Sequence, residues 1–159
     1  MTAARRSAAE QTRLDAALTE LFNHRISFNE LLGLQVDGLQ PGNTRLRFGM
    51  RPELVGHFLY GRLHGGVISS VLDAVGGLAL MVAIAERHAG DSAEQVMQRF
   101  AKMGTIDLRV DFLRQGIGQQ FVASGEVTRL GGRVGSTQMK LSNAQGDLIA
   151  TAAAAYIVS

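Results

Sequence analysis

Cysteine and tryptophan are missing altogether, and proline and tyrosine occur only twice each in a chain of 159 residues. Without cysteine there is no disulfide, no thiolate nucleophile and no Cys-based metal site. The four histidines, His24, His57, His64 and His88, show no metal-ligand spacing. No metal or other cofactor is therefore expected. Charge is thin as well: 19% of the residues are charged and the net charge is +2. That balance is too mild for nucleic-acid binding, although a few arginines suffice to meet an anionic small molecule. Arg5 and Arg6 have no apolar segment behind them, which argues against a secretory signal and for the cytoplasm. The length suits one domain, residues 1–159, able to bury a real core.

What the chain has is a long apolar run. From Val67 to Ala85 the one charged residue is Asp73. The spacing predicts a helix from about Leu63-His64-Gly65-Gly66 to about Arg87. Its length would allow a membrane span, but a carboxylate at mid-run is costly there. A charge in such a run must be paired, hydrogen-bonded or useful. Neighbours on a helix face lie three and four positions apart, and for Asp73 they are Ser69, Ser70, Gly76 and Gly77. All are small, so a molecule can lie against that side. The alternative is a structural carboxylate at a subunit contact, with glycines that simply permit close packing.

Around this helix the chain reads as follows. Residues 1–9 are small and polar and are expected to fray. Leu14, Leu18, Leu21, Phe22 and Ile26 have helical spacing, which predicts an N-terminal helix over 10–32 ended by Gly33. Residues 34–39 and 44–50 read as strands around a Pro41-Gly42-Asn43 turn. Residues 51–62 have no period and read as a loop carrying His57, Phe58 and Tyr60. Residues 93–103 fit a short helical turn or a loop. Four strands follow, at about 105–113, 119–130, 133–143 and 148–158, of which the first alternates most regularly. The order is helix, two strands, long apolar helix, four strands. Short turns between consecutive strands make the sheet antiparallel, and one helix too apolar to be half-exposed needs that sheet around it.

Leu63-His64-Gly65-Gly66-Val67 followed by Asp73 resembles the signature of hotdog-fold acyl-CoA thioesterases of the phenylacetyl-CoA (PaaI-like) type. Thr105-Ile106-Asp107-Leu108-Arg109-Val110-Asp111-Phe112, Gly125-Glu126-Val127 and Gly146-Asp147-Leu148-Ile149-Ala150 are similar to that family too. The resemblance covers residues 30–158 and implies an α+β hotdog fold: an antiparallel sheet wrapped around a central helix, here with an extra N-terminal helix. It implies an acyl-CoA substrate and a homodimer with active sites at the interface, with a homotetramer as a further option.

It also implies roles. The Gly65 N–H would polarise the thioester carbonyl, at a helix start where unpaired N–H groups and the dipole favour negative charge. Asp73 would be the nucleophile or the general base. About 12 Å of helix separates the two at 1.5 Å per residue, so a two-fold partner would have to bring one chain's Asp73 to the other's Gly65. His64 is expected to position rather than act as a base. Thr105 falls where relatives carry a Ser or Thr that orients the attacking group, though an ordinary strand start explains it as well. Gly66, Ser69 and Ser70 line the expected substrate side. Arg114 and Arg133, with Arg129, would meet the phosphates of coenzyme A unless they are solvated strand ends. Several relatives carry a polar group six residues before the His, where this chain has Phe58 beside His57. Either His57 takes that role or Phe58 and Tyr60 line an acyl or aryl pocket. Two other functions fit the same residues: a hotdog dehydratase using His64 with Asp73, and a non-catalytic acyl-CoA-binding module.

Overall fold

The structure is a computed structural model that describes residues 5–159. Part of the segment expected to fray, residues 1–4, lies outside the described residues. From Arg5 onward the chain is tied down instead. The Arg6 guanidinium donates to the backbone carbonyls of Ala85, His88 and Asp91, and the Ser7 hydroxyl accepts from the Glu10 N–H to cap α1, Ala8–Glu20. Such a cap satisfies one of the four orphan donors of a helix start. The expected helix over 10–32 is not continuous. It passes through a π turn at Leu21–Arg25, becomes extended at Ile26, and resumes as α2, Ser27–Leu32. Gly33 then ends it with φ +72°, a left-handed conformation that glycine adopts without penalty.

The strands β1 (Gln35–Gln40) and β2 (Asn43–Gly49) form a hairpin. The stretch expected to be a loop holds a second, small hairpin of β3 (Val55–His57) and β4 (Arg62–Leu63). It is too short for periodicity to reveal. Then come α3, Gly65–Arg87, and α4, Ala93–Arg99. A reciprocal capping box between Ser92 and Gln95 makes 93–99 a helix rather than a loop. The strands β5 (Gly104–Phe112), β6 (Gln120–Leu130), β7 (Val134–Asn143) and β8 (Leu148–Ile157) complete a six-stranded antiparallel sheet in the order β1-β2-β6-β7-β8-β5.

This sheet curves around α3. Ile68, Val71, Leu72, Val75 and Leu78 of the helix are buried against Phe48, Phe121, Met139, Leu141 and Tyr156. The apolar run is thus the core helix of a hotdog fold. Two glycines let helix and sheet approach. A Cβ on Gly125 would stand 2.8 Å from the Val75 carbonyl oxygen, and one on Gly76 would overlap the Tyr156 hydroxyl and crowd Thr137 Oγ1 at 2.9 Å. The alanines of β8 serve the same end: Ala150, Ala152 and Ala154 are buried beneath the helix.

The most regular alternation in the sequence belongs to the least buried strand. β5 is a sheet edge, with Ile106 58% and Phe112 55% exposed. An open edge bearing large apolar side chains is a pairing surface unless it is blocked.

Candidate active site

Asp73 is half-buried on α3 and faces a cavity of about 310 Å³. Tyr156 of β8 lines it, together with residues of three other parts of the chain. From α3 come Ser70, Asp73, Ala74, Gly77 and Met81; from the N-terminal segment come Phe22, Ile26, Phe28 and Asn29; from the β5 side come Met103, Gly104 and Thr105. Thr105 is the decisive contact. Its hydroxyl donates to Asp73 Oδ1 at 2.8 Å, which fixes the carboxylate and leaves Oδ2 without a hydrogen-bond partner among the described residues. On the core side the Tyr156 hydroxyl donates to the Asp73 backbone carbonyl at 2.9 Å. Burial first, then the neighbouring carboxylate, pushes the Tyr156 phenol well above its ordinary range, so it stays a neutral donor.

The glycine pair has divided roles. Gly76 faces Tyr156 and the sheet, whereas Gly77 lines the cavity. Gly76→Ala should therefore act on the carboxylate's support. Displacing the Tyr156 hydroxyl should cost about 1–3 kcal/mol, the usual range for overpacking, read as a fall in melting temperature. An unchanged melting temperature would show that Tyr156 swings aside freely.

The start of α3 forms a second feature. His64 is its N-cap, and its Nδ1 accepts from the Gly66 N–H at 2.8 Å. The Val67 and Ile68 N–H groups donate to the His64 carbonyl. Of the first-turn donors this leaves the Gly65 N–H without a partner among the described residues. His64 thus positions the turn, and its cap nitrogen is already occupied. Ser69 and Ser70 bond back to the Gly65 and Gly66 carbonyls at 2.9 and 2.7 Å.

Gly65 does not share the cavity of Asp73. It lines another, of about 450 Å³, together with Arg62, Phe112 and Arg114. Within one chain the donor and the acid therefore open into separate spaces, with an arginine-bearing space on the donor's side. Arg114 is part of that side and donates to the Leu148 carbonyl at 3.0 Å. Arg133 lies elsewhere, at the β6–β7 turn, which Arg87 ties to the far end of α3. The His57 and Phe58 rings stack 5.5 Å apart at the tip of the β3–β4 hairpin, and Phe58 is 87% exposed. Neither lines the Asp73 cavity.

A further cavity, of about 600 Å³, sits near the C-terminal end of α3, beside Arg87, Asp91 and Arg99. Two of its arginines are engaged: Arg99 pairs with Asp91, and Arg87 donates to the Leu130 and Gly131 carbonyls.

The sequence model of the thioesterase superfamily matches residues 60–150. This chain belongs to the thioesterase superfamily. It is 39% identical over 139 residues, 87% of this chain and 90% of the other, to a Salmonella typhimurium protein named medium/long-chain acyl-CoA thioesterase YigI. A solved Shewanella oneidensis protein related to the thioesterase superfamily is 36% identical. It superposes with a TM-score of 0.87, covering 97% of this chain and all of that one. A variant of the phenylacetic acid degradation protein PaaI from Thermus thermophilus is 22% identical, with a TM-score of 0.65 over 84% of this chain and 99% of that one. This likeness is one of fold. The hotdog architecture and the thioester-hydrolase class expected from the sequence are therefore established for this chain.

Sequence reasoning missed Tyr156, Asn29 and the apolar wall of Phe22, Ile26 and Phe28. Tyr156 had a signal, as the one aromatic side chain in an alanine-rich strand. The wall had none, because it is assembled from residues 45 to 83 positions from Asp73 and Thr105 by the course of the chain.

Proposed function

We propose that this chain hydrolyses acyl-CoA thioesters of medium to long chain length, the substrates named for its YigI relatives. The observation that carries the reading is the Asp73 carboxylate, held by the Thr105 hydroxyl at 2.8 Å and opening into a largely apolar cavity. An acyl chain fits such walls, and a carboxylate fixed at their edge suits attack on the carbon beside them.

In this reading Asp73 is the general base. Its Oδ2 accepts a proton from a water whose oxygen attacks the thioester carbon. The negative charge gathers on the carbonyl oxygen, where the Gly65 N–H of a second copy of the chain donates to it. The carbon–sulfur bond then breaks. The proton held by Asp73 passes to the departing thiolate, giving the free acid and coenzyme A. No metal or redox group takes part in these steps.

The second copy is needed because Gly65 and Asp73 open into different cavities of one chain. A two-fold homodimer paired through β5 supplies it and covers Ile106 and Phe112. Arg62 and Arg114, beside Gly65, would then meet the phosphates of coenzyme A.

The test is thiol release from a panel of aryl-, short-, medium- and long-chain CoA esters, with the oligomer measured by light scattering. Turnover rising with chain length in a dimer is expected. Hydration of an enoyl-CoA without thiol release would turn the reading to a dehydratase, and binding without any product would make the chain a carrier.

A further inference from the structure

The N-terminal segment closes the Asp73 cavity with four side chains, Phe22, Ile26, Phe28 and Asn29. Three are apolar. The fourth is an amide, 5% exposed, whose Nδ2 has no hydrogen-bond partner among the described residues. Local structure does not account for it. The Asn29 backbone carbonyl accepts from the N–H groups of Gly33 and Leu34 and so closes α2, while the side chain caps nothing. Buried donors without acceptors are few in native folds, because each forfeits its hydration. Asn29 lines the substrate cavity while its Nδ2 is closed off from it, so a small turn of the side chain presents the donor to an acceptor that arrives with the ligand.

The acyl group is the part of the ligand that meets this wall. Asp73, Ala74, Gly77 and Met81 form one row along α3, about 12 Å long at 1.5 Å per residue, all of it lining the cavity. With the thioester at Asp73, the acyl chain runs over Ala74 and Gly77 beneath the N-terminal segment. The attacking water, by contrast, belongs beside Asp73 and Thr105, on the wall supplied by α3 and β5.

We propose that Asn29 reads an oxygen on the acyl chain, so that hydroxy- or oxo-acyl thioesters are preferred over plain chains of equal length. The proposal rests on the thioesterase reading above. An oxygen-bearing chain gives Nδ2 its acceptor. A plain chain leaves it unpaired, and a site with a buried donor discriminates against the ligand that cannot use it.

The experiment compares thiol release from decanoyl-CoA with release from its 2-hydroxy, 3-hydroxy, 3-oxo and 10-hydroxy forms. For the wild type, at least one oxygenated ester is expected about tenfold ahead in kcat/KM, the worth of one hydrogen bond. The hydroxy and oxo arms separate the two sources of acceptor. In Asn29→Leu the preference should shrink to within about twofold, the oxygenated esters losing more turnover than decanoyl-CoA, with a melting temperature no lower than wild type. A purely structural amide would lower that temperature instead. Absence of a preference in the wild type overturns the proposal. So does an unchanged ranking in the variant, or a loss shared equally by all esters, which would place Asn29 at the water. If Asn29→Leu does not fold, Asn29→Ser, which keeps a donor but shortens it, is expected to show an intermediate preference. If the wild type releases thiol from no ester, the hydrolase reading fails. Equilibrium binding of the same esters, favouring the oxygenated ones or not, then decides the Asn29 proposal by itself.

Discussion

Asp73→Asn should lower kcat by about 10²–10⁴-fold, the usual contribution of a positioned general base, while the fold and the oligomer persist. The substitution is nearly isosteric. An amide oxygen in place of Oδ1 still accepts from the Thr105 hydroxyl, and the backbone carbonyl keeps its bond from Tyr156. What is lost is the second oxygen's capacity to take a proton. Stability should move little, because both hydrogen bonds are kept. Kinetics and melting should therefore separate cleanly. The check is steady-state thiol release beside thermal unfolding and light scattering. Turnover within about threefold of wild type would remove Asp73 from the chemistry. A large fall in melting temperature would make it the structural carboxylate that the sequence equally allowed. Asp73→Ala is the harsher companion: it also deprives the Thr105 hydroxyl of its acceptor, and its activity should be no higher than that of Asp73→Asn.

The core helix was readable because its signals are local. His64 at the N-cap, two glycines at the first turn and an unbroken apolar run bounded by Arg87 and His88 need only neighbours to be recognised, and α3 spans Gly65–Arg87 as expected. For Thr105 the family resemblance implies only a residue that orients the attacking group; that its hydroxyl meets Asp73 Oδ1 is a finding of the structure. Strand alternation located β5 but misled about its surroundings. Period two says that one face is apolar, not what covers it, and Ile106 and Phe112 are bare in the single chain. For Phe58 the resemblance leaves a pocket role as one of two options; in the single chain the β3–β4 hairpin carries it outward beside His57. The acyl wall was out of reach for a different reason. Whether Phe22 and Asn29 meet Asp73 depends on the π turn at Leu21–Arg25 and the extended Ile26, which rotate α2 relative to α1. No residue in that stretch announces the break as Gly33 announces its end.

Gly65→Pro isolates the proposed carbonyl-polarising donor. Proline removes the one N–H of the first turn that has no partner among the described residues, and leaves the donors used by the fold in place. The position accepts the ring. The first helical residue is where proline is favoured, and His64 before it has φ −65° and ψ 139°, the extended conformation that a residue preceding proline prefers. A Cβ at Gly65 meets only Phe112 ring carbons, at an ordinary 3.5 Å. The expected result is a normal melting temperature with kcat lower by about 10²–10³-fold, the cost of removing one oxyanion donor. Gly66→Pro would be a different experiment, since it destroys the bond to His64 Nδ1 and with it the cap. Mixing the two inactive chains then tests where the donor acts. If Gly65 serves the Asp73 of a second copy, a dimer of one Asp73→Asn chain and one Gly65→Pro chain contains one intact site. Random reassociation should restore about a quarter of wild-type activity, because half the dimers are mixed and each has one working site of two. If each chain used its own Gly65, every site in the mixture would lack one group, and mixing would restore nothing.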